Sequence, residues 1–84
     1  MTKKELLALA ISSEEYNTNN AWGFGGGYGT EYTFNNGLKL RDGIACYRHA
    51  PSHRYITVCT TDERIIDTEV LRPAHIEQIL NLIK

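Results

Sequence analysis

The 84-residue chain lacks the features that usually indicate a membrane segment or a nucleic-acid partner. No apolar run approaches the ~20 residues that a membrane-spanning helix needs. No basic run is present either, because nine lysines and arginines are scattered among ten acidic residues, for a net charge of −1. Nucleic-acid-binding domains usually carry a basic stripe. The sequence therefore predicts no membrane partner and disfavours nucleic acid.

Cysteine is also scarce, with two in the chain. The first residues, MTKKELLALAIS, do not form a secretory leader, because Glu5 interrupts the apolar run and SSEEYN follows instead of small residues. Two isolated cysteines without a leader are typical of a cytoplasmic protein with reduced thiols. We therefore expect a cytoplasmic protein.

Two helices and a sheet are predicted within one domain, residues 1–84. Thr2 and Glu5 form a capping-box pattern at the start of a helix that is expected to run to about residue 16. Pro73 suits the first turn of a closing helix, whose apolar stripe is Ile76, Ile79, Leu80 and Ile83. The segments between favour extended structure. The predicted fold class is α+β: an N-terminal helix, a four- to five-stranded antiparallel meander sheet, and a C-terminal amphipathic helix packed on one sheet face.

Four turns are predicted between the strands. Asn35-Asn36-Gly37 favours a type I′ turn, and Asp42-Gly43 is a second turn signal. A turn over residues 51–54 would place Cys46 directly opposite Cys59. The last turn is expected over residues 62–64.

Residues 22–30, WGFGGGYGT, combine glycine with large aromatic side chains. The segment 17–30 is expected to be a loop or an irregular strand. In one interpretation it forms a long strand with one aromatic face, since the aromatic residues alternate with period two: Trp22, Phe24, Tyr28, Tyr32 and Phe34. In another, the chain reverses at Gly25–Gly27, with Phe24 opposite Tyr28. Tyr32 and Phe34 are expected in the core, and Tyr28 at an adaptable end.

No cofactor or catalytic pattern fits the glycines. A phosphate-binding loop needs a lysine after its last glycine, and none lies nearby; the dinucleotide fingerprint needs a following helix, whereas β-type sequence follows here. We expect no cofactor, no catalytic residue and no enzymatic activity.

Cysteine and histidine do recur with zinc-compatible chemistry between residues 46 and 59, at Cys46, His49, His53 and Cys59. Direct pairing of the two cysteines would put His49 on the opposite sheet face, so the four ligands would not converge, and we predict no metal site. A zinc- or redox-responsive regulator that uses Cys46 and Cys59 remains an alternative. A weak nucleic-acid-binding module built on residues 48–54 is another.

The function expected from these observations is non-enzymatic binding of another protein through the segment 22–34. Small single-domain binders of this size include inhibitors and immunity-type proteins of phages and mobile elements, anti-CRISPR proteins among them, and this step is an analogy of size. The partner is expected to be larger, a host or defence-system component, and a homodimer is also open. The expected contact residues are Trp22, Phe24, Tyr28, Arg48, His53 and Arg54.

Overall fold

A computed structural model describes residues 1–17, 27–47 and 50–83, apart from the side chains of residues 46, 47 and 50–52. The elements are α1 (Lys3–Leu7), β1 (Ser12–Asn17), β2 (Gly27–Thr33), β3 (Lys39–Tyr47), β4 (Ala50–Cys59), β5 (Arg64–Thr68) and α2 (Pro73–Ile83). The strands form one sheet in the order β1-β2-β3-β4-β5, and each neighbouring pair is antiparallel. The predicted α+β class and meander topology are confirmed.

The core lies between the two helices and one face of the sheet, which we call the helix-side face. One cross-strand row on this face runs Tyr32–Leu40–Val58–Ile66. Strand β4 adds Ile56, and the helices and loops contribute the other buried apolar side chains of the described residues, which are Leu6, Phe34, Leu38, Leu71, Ile76 and Ile79. Burial of each large aliphatic side chain contributes about 1.5–3 kcal/mol. The expected core positions of Phe34 and Tyr32 are confirmed: the first is buried and the second packs against the core.

Helix α1 has the predicted start but not the predicted length. The Thr2 hydroxyl accepts from the Glu5 amide, and the Glu5 carboxylate accepts from the Thr2 amide, so the capping box is confirmed. The helix ends at Leu7, whereas residues 12–16, expected to continue or restart a helix, lie in β1. This segment places no apolar residue at positions 12–15 to hold a helical face on the core, and its backbone instead pairs with β2.

The turn between β2 and β3 lies where the Asn-Asn-Gly signal placed it, with a different geometry. Gly37 N donates to Phe34 O (3.1 Å) and Phe34 N donates to Leu38 O (2.9 Å). Gly37 has φ +83°, and the described residues contain no other left-handed residue. A type I′ turn would need positive φ at both central residues, so this is a three-residue loop that ends in a left-handed glycine.

Two other expected turns are wrong. Asp42 and Gly43 lie inside β3, where Lys3 Nζ holds the Asp42 carboxylate at 2.5 Å. Residues 51–54 lie inside β4, so the chain reverses between Tyr47 and Ala50. Cys59 consequently lies opposite Lys39. Because strands rise ~3.3 Å per residue, the seven-residue offset puts the Cys46 and Cys59 backbones roughly 23 Å apart.

From the end of β4 onward, the chain follows the sequence-based expectation closely. Thr60 N donates to Glu63 O (2.8 Å), which closes the predicted last turn one residue early. Helix α2 begins at Pro73 and buries Ile76 and Ile79, as predicted. No helix of the described residues is long and apolar enough to span a membrane.

Candidate functional site

The helices cover only part of the helix-side face. Strand β4 has ten residues and α2 has eleven, which correspond to about 33 Å of strand and about 16 Å of helix. The molecule is accordingly elongated, with principal extents of 40 × 22 × 21 Å. The Lys3–Asp42 ion pair joins the first turn of α1 to the middle of β3, and Ile44 lies beyond it on the same face.

Beyond that ion pair, one cross-strand row is left exposed. Tyr28 of β2 pairs with Ile44 of β3, and Ile44 pairs with Arg54 of β4. The Tyr28 side chain is 49% exposed, Ile44 is half-buried and Arg54 is exposed. We call Tyr28, Ile44 and Arg54 the distal face. Since neighbouring strands lie ~4.8 Å apart, an aromatic ring, an aliphatic side chain and a guanidinium share a strip about 10 Å wide.

A cavity of ≈390 Å³ adjoins the distal face at the β1 side of the sheet. Its lining residues come from β1 and β2: Glu15, Tyr16, Asn17, Tyr28, Gly29 and Thr30. Glu15, Asn17, Tyr28 and Thr30 belong to the alternate positions that point to the helix side, since Glu15 pairs with Thr30 and Asn17 pairs with Tyr28. The cavity therefore brings a carboxylate and a half-exposed tyrosine together with two polar side chains.

The opposite face of the sheet explains the glycines of β2 and β3. One cross-strand row on this face, which we call the tyrosine–glycine row, consists of Tyr16, Gly29, Gly43 and Tyr55. The two tyrosine Cα atoms are three strand spacings apart, roughly 14 Å. Their side chains nevertheless meet above the glycines, where the hydroxyls share a hydrogen bond. A Cβ on Gly43 would lie 2.5 Å from the Tyr16 hydroxyl and would collide with the Tyr28 carbonyl.

The same glycines let β2 and β3 approach closely behind the distal face. A Cβ on Gly29 would lie 2.5 Å from Gly43 Cα and would also collide with the Asp42 carbonyl. Glycine within a strand often marks such close backbone approach. Burial raises the pKa of Tyr16, and its hydrogen bond to Tyr55 acts in the same direction. The Tyr16 hydroxyl is therefore neutral at physiological pH and keeps its hydrogen bond to Tyr55.

A second, charged cavity of ≈280 Å³ lies on that opposite face, lined by Glu31, Lys39, Arg41, Thr57, Cys59 and Arg64. Arg41 Nε donates to Glu31 Oε2 at 2.7 Å, and Lys39 Nζ lies 3.5 Å from Glu31 Oε1. The hydrogen bond from Arg41 holds the pKa of Glu31 below its usual value. Arg41 also lies over the Tyr16 ring, 4.8 Å from its centroid. The ion pair with Glu31 holds Arg41 in place, and Arg41 in turn packs on the Tyr16 ring of the tyrosine–glycine row.

The structure brings together two of the residues expected to contact a partner. Tyr28 and Arg54 share the distal face, whereas His53 pairs with Ala45 on the opposite face. Trp22, Phe24 and Arg48 lie outside the described residues. The segment 17–30 was expected to be a loop or an irregular strand; Asn17 ends β1 and residues 27–30 belong to β2, whereas residues 18–26 lie outside the described part of the chain. Because Tyr28 has Asn17 and Ile44 as its cross-strand neighbours, the reversal that placed Phe24 opposite it is wrong.

The zinc, redox and nucleic-acid alternatives assumed a hairpin geometry for residues 46–59 that the structure does not have. Cys59 is a free, half-buried cysteine, and the distance between the cysteine backbones is too long for a disulfide or a shared metal ion. His53 and Arg54 lie within β4 on opposite faces, not together at a hairpin tip. Arg54 is thereby separated from His53 and aligned with Tyr28.

Sequence reasoning missed Ile44, Glu15 and Asn17. Ile44 could have been predicted from the Asn-Asn-Gly signal. A three-residue loop pairs Phe34 with Leu38, and counting residues back along both strands from this pair places Tyr28 opposite Ile44. Glu15 was hidden because its segment was interpreted as helix, and Asn17 because it was assigned to the loop or irregular strand that follows. Comparison of the chain with protein-family models, curated proteins and solved structures gave no match, so the geometry of the described residues is the basis for assigning a function.

Proposed function

We propose that this protein acts without catalysis, by binding another protein through the distal face. The supporting observation is the cross-strand row that aligns Tyr28, Ile44 and Arg54 beyond the reach of the helices. Tyrosine and arginine are enriched among the residues that dominate binding energies at interfaces. Here both are exposed. Tyr28 has a cross-strand neighbour on each side, and Arg54 pairs with Ile44 on one side, two residues from the point where β4 also pairs with β5.

The physical basis of the proposal is a rigid platform with a mixed surface. The tyrosine–glycine row behind β2 and β3 fixes the backbone under the distal face, so little ordering is required when a partner binds. Preorganisation of this kind improves affinity, because less conformational entropy is lost on association. A standard interface of ~800 Å² per partner would extend from this row over neighbouring parts of the chain.

More specifically, we propose that the protein is an inhibitor or immunity-type protein of a phage or mobile element, similar in role to anti-CRISPR proteins. It would act in the cytoplasm on a larger target. Size and mode of action support this form: a small protein with a rigid recognition strip can block a site on a larger one. The target is expected to offer a surface that accepts an aromatic ring beside a guanidinium, such as an apolar pocket next to a carboxylate.

The test compares the double variant Tyr28→Ala/Arg54→Ala with the matched control Val70→Ala/Arg72→Ala. The control removes an exposed apolar side chain and an exposed arginine from the segment between β5 and α2. Proteins captured from bacterial lysate by wild type are identified by mass spectrometry, and their affinities are then measured with purified components. Circular dichroism checks that each variant is folded.

We expect wild type and control to bind the same protein with equal affinity, and the Tyr28/Arg54 variant to bind it at least tenfold more weakly. Truncation of a dominant interface residue costs about 2 kcal/mol or more, and 1.4 kcal/mol is a factor of ten. Equal binding by the Tyr28/Arg54 variant would remove the distal face from the interface. Equal loss in both variants would indicate non-specific adhesion and would contradict the proposal.

A further inference from the structure

The outer strand β1 presents a sheet edge that no other described strand covers. In the described part of the chain β1 pairs only with β2. Five of its six residues are exposed, with Tyr16 half-buried. An edge strand carries backbone N–H and C=O groups without a strand partner and is a template for an added strand. Immediately before β1 lies Ile11, whose side chain is 67% exposed.

The cavity at this edge has the chemistry of a cation pocket. Glu15 supplies a carboxylate that forms no salt bridge with any described residue. Tyr28 supplies an aromatic side chain, and Asn17 and Thr30 supply polar groups. Carboxylates form strong charge-assisted hydrogen bonds with lysine and arginine, and aromatic faces attract the same cations. At ≈390 Å³ the cavity has room for the end of one long side chain.

We propose that the β1 edge binds an extended segment of a partner protein as a sixth strand, and that a lysine or arginine of this segment occupies the cavity beside Glu15 and Tyr28. Side chains of an added strand alternate between the two faces, so the residue opposite Glu15 points to the helix side, toward the cavity. The same strand covers Ile11 with one of its apolar residues. This inference rests on the proposed function and names the mode of binding and the chemistry of the partner.

Charge favours a basic segment over a second copy of this chain. A twofold axis that pairs β1 with itself runs perpendicular to the sheet and preserves the two faces, so a pairing centred on this strand places either Glu14 or Glu15 directly opposite its own copy. Like charges directly opposite each other destabilise a strand pair. A segment with lysine or arginine opposite Glu15 instead places a cation next to that carboxylate.

The probe is a nine-residue peptide of alternating threonine and valine with one central arginine, acetylated and amidated. Two control peptides carry citrulline in place of arginine, or N-methyl groups on alternate amides, which block strand pairing. Binding to the ¹⁵N-labelled full chain is followed by NMR titration at physiological salt. The protein variants are Glu15→Gln, the matched control Glu14→Gln on the same strand but outside the cavity lining, and Arg54→Ala.

We expect the arginine peptide to shift the β1 amides and to bind Glu15→Gln about tenfold more weakly than wild type. Glu14→Gln and Arg54→Ala should change the affinity less than twofold. The citrulline peptide should bind wild type about tenfold more weakly but should not distinguish wild type from Glu15→Gln, and the N-methylated peptide should not bind. This pattern of affinities would show that the peptide pairs with the β1 edge and that its arginine occupies the cavity beside Glu15.

The inference is overturned if Glu14→Gln and Glu15→Gln weaken binding equally, if the N-methylated peptide binds as well as its parent, or if the shifts lie on β5. Dimerisation of the chain through β1, or no binding of the arginine peptide at millimolar concentration, would also overturn it. Arg54 does not line the cavity, so Arg54→Ala is expected to leave the peptide affinity unchanged, whereas Tyr28 belongs to both the distal face and the cavity. Loss of the captured partner in the single variant Arg54→Ala, together with an unchanged peptide affinity, would therefore support the distal face independently of the β1 edge.

Discussion

Replacement of Gly43 by alanine tests the close approach of β2 and β3 most directly. At an unobstructed strand position, alanine in place of glycine stabilises a protein by about 0.5–1 kcal/mol, because the unfolded chain loses freedom. At Gly43 the added methyl group would meet the Tyr28 carbonyl and the Tyr16 hydroxyl well inside normal contact distance. The structure therefore predicts destabilisation where glycine replacement would otherwise stabilise.

The magnitude follows from what must move. The carbonyl belongs to the β2 backbone, which the antiparallel pairing holds in place, so a side-chain rotation cannot relieve the contact. Overpacking in a rigid environment costs about 1–3 kcal/mol, and disturbance of the tyrosine hydrogen bond adds about 1 kcal/mol. After subtraction of the ~0.5–1 kcal/mol that alanine gains through the unfolded chain, the net loss is about 1–3.5 kcal/mol, which is large beside a total stability of about 4–13 kcal/mol for a chain of this size. It corresponds to a fall in Tm of roughly 4–28 °C.

The assay is urea unfolding followed by circular dichroism, for wild type, Gly43→Ala, Tyr16→Phe and the double variant. Tyr16→Phe removes the hydroxyl but leaves the Tyr28 carbonyl in place, so it should restore at most about 1 kcal/mol of the loss. A Gly43→Ala protein as stable as wild type, or more stable, would refute the close strand approach. Full restoration by Tyr16→Phe would show that the hydroxyl alone limits the space.

Two further predictions concern the core and the ion pair between Glu31 and Arg41. Ile79→Ala removes most of a side chain with no exposed surface and should cost about 2–5 kcal/mol in urea unfolding; a loss below 1 kcal/mol would contradict the packing of α2 on the sheet. The hydrogen bond from Arg41 lowers the pKa of Glu31 below 4.5 in the folded protein. The ionised Glu31 carboxylate therefore stabilises the fold fully above pH ~4.5, and this stabilisation is lost as the pH falls through the folded-state pKa. Glu31→Gln should therefore cost about 1 kcal/mol at pH 7 and progressively less below pH 4.5, and unfolding midpoints that differ equally at pH 3 and pH 7 would contradict this assignment.

Local chemistry predicted those parts of the fold in which a short segment determines its own structure. The Thr2–Glu5 capping box, the helix start at Pro73 and the reversal at Gly37 each depend on contacts within a few residues. The α+β class followed from the apolar stripe of the last helix and from the extended segments before it. These features were accessible because propensity and packing favour the same structure.

The errors lie where tertiary pairing overrides local preference. Ser12–Asn17 has no apolar alternation and was expected to be helical, but Tyr16 at its end packs over glycines from two other strands. Asp42-Gly43 has the composition of a turn, yet Gly43 is required because a Cβ there has no space. Pro51 also suggested a turn, although it lies near the start of β4. Each misinterpretation hid part of the candidate site, because the distal face and the cavity depend on strand register.

The tyrosine–glycine row also has a consequence for how the sheet selects its own alignment. A two-residue displacement of β1 along β2 keeps every side chain on its proper face, so the hydrophobic pattern of that strand does not by itself exclude it. In one direction the displacement would set Tyr16 beside Glu31, and in the other beside Gly27, whose neighbour on β3 is Ala45. Only the observed alignment offers Tyr16 two successive glycines with Tyr55 beyond them. Two positions without side chains thus favour one register among four strands, because a displaced β1 would lose the Tyr16–Tyr55 hydrogen bond.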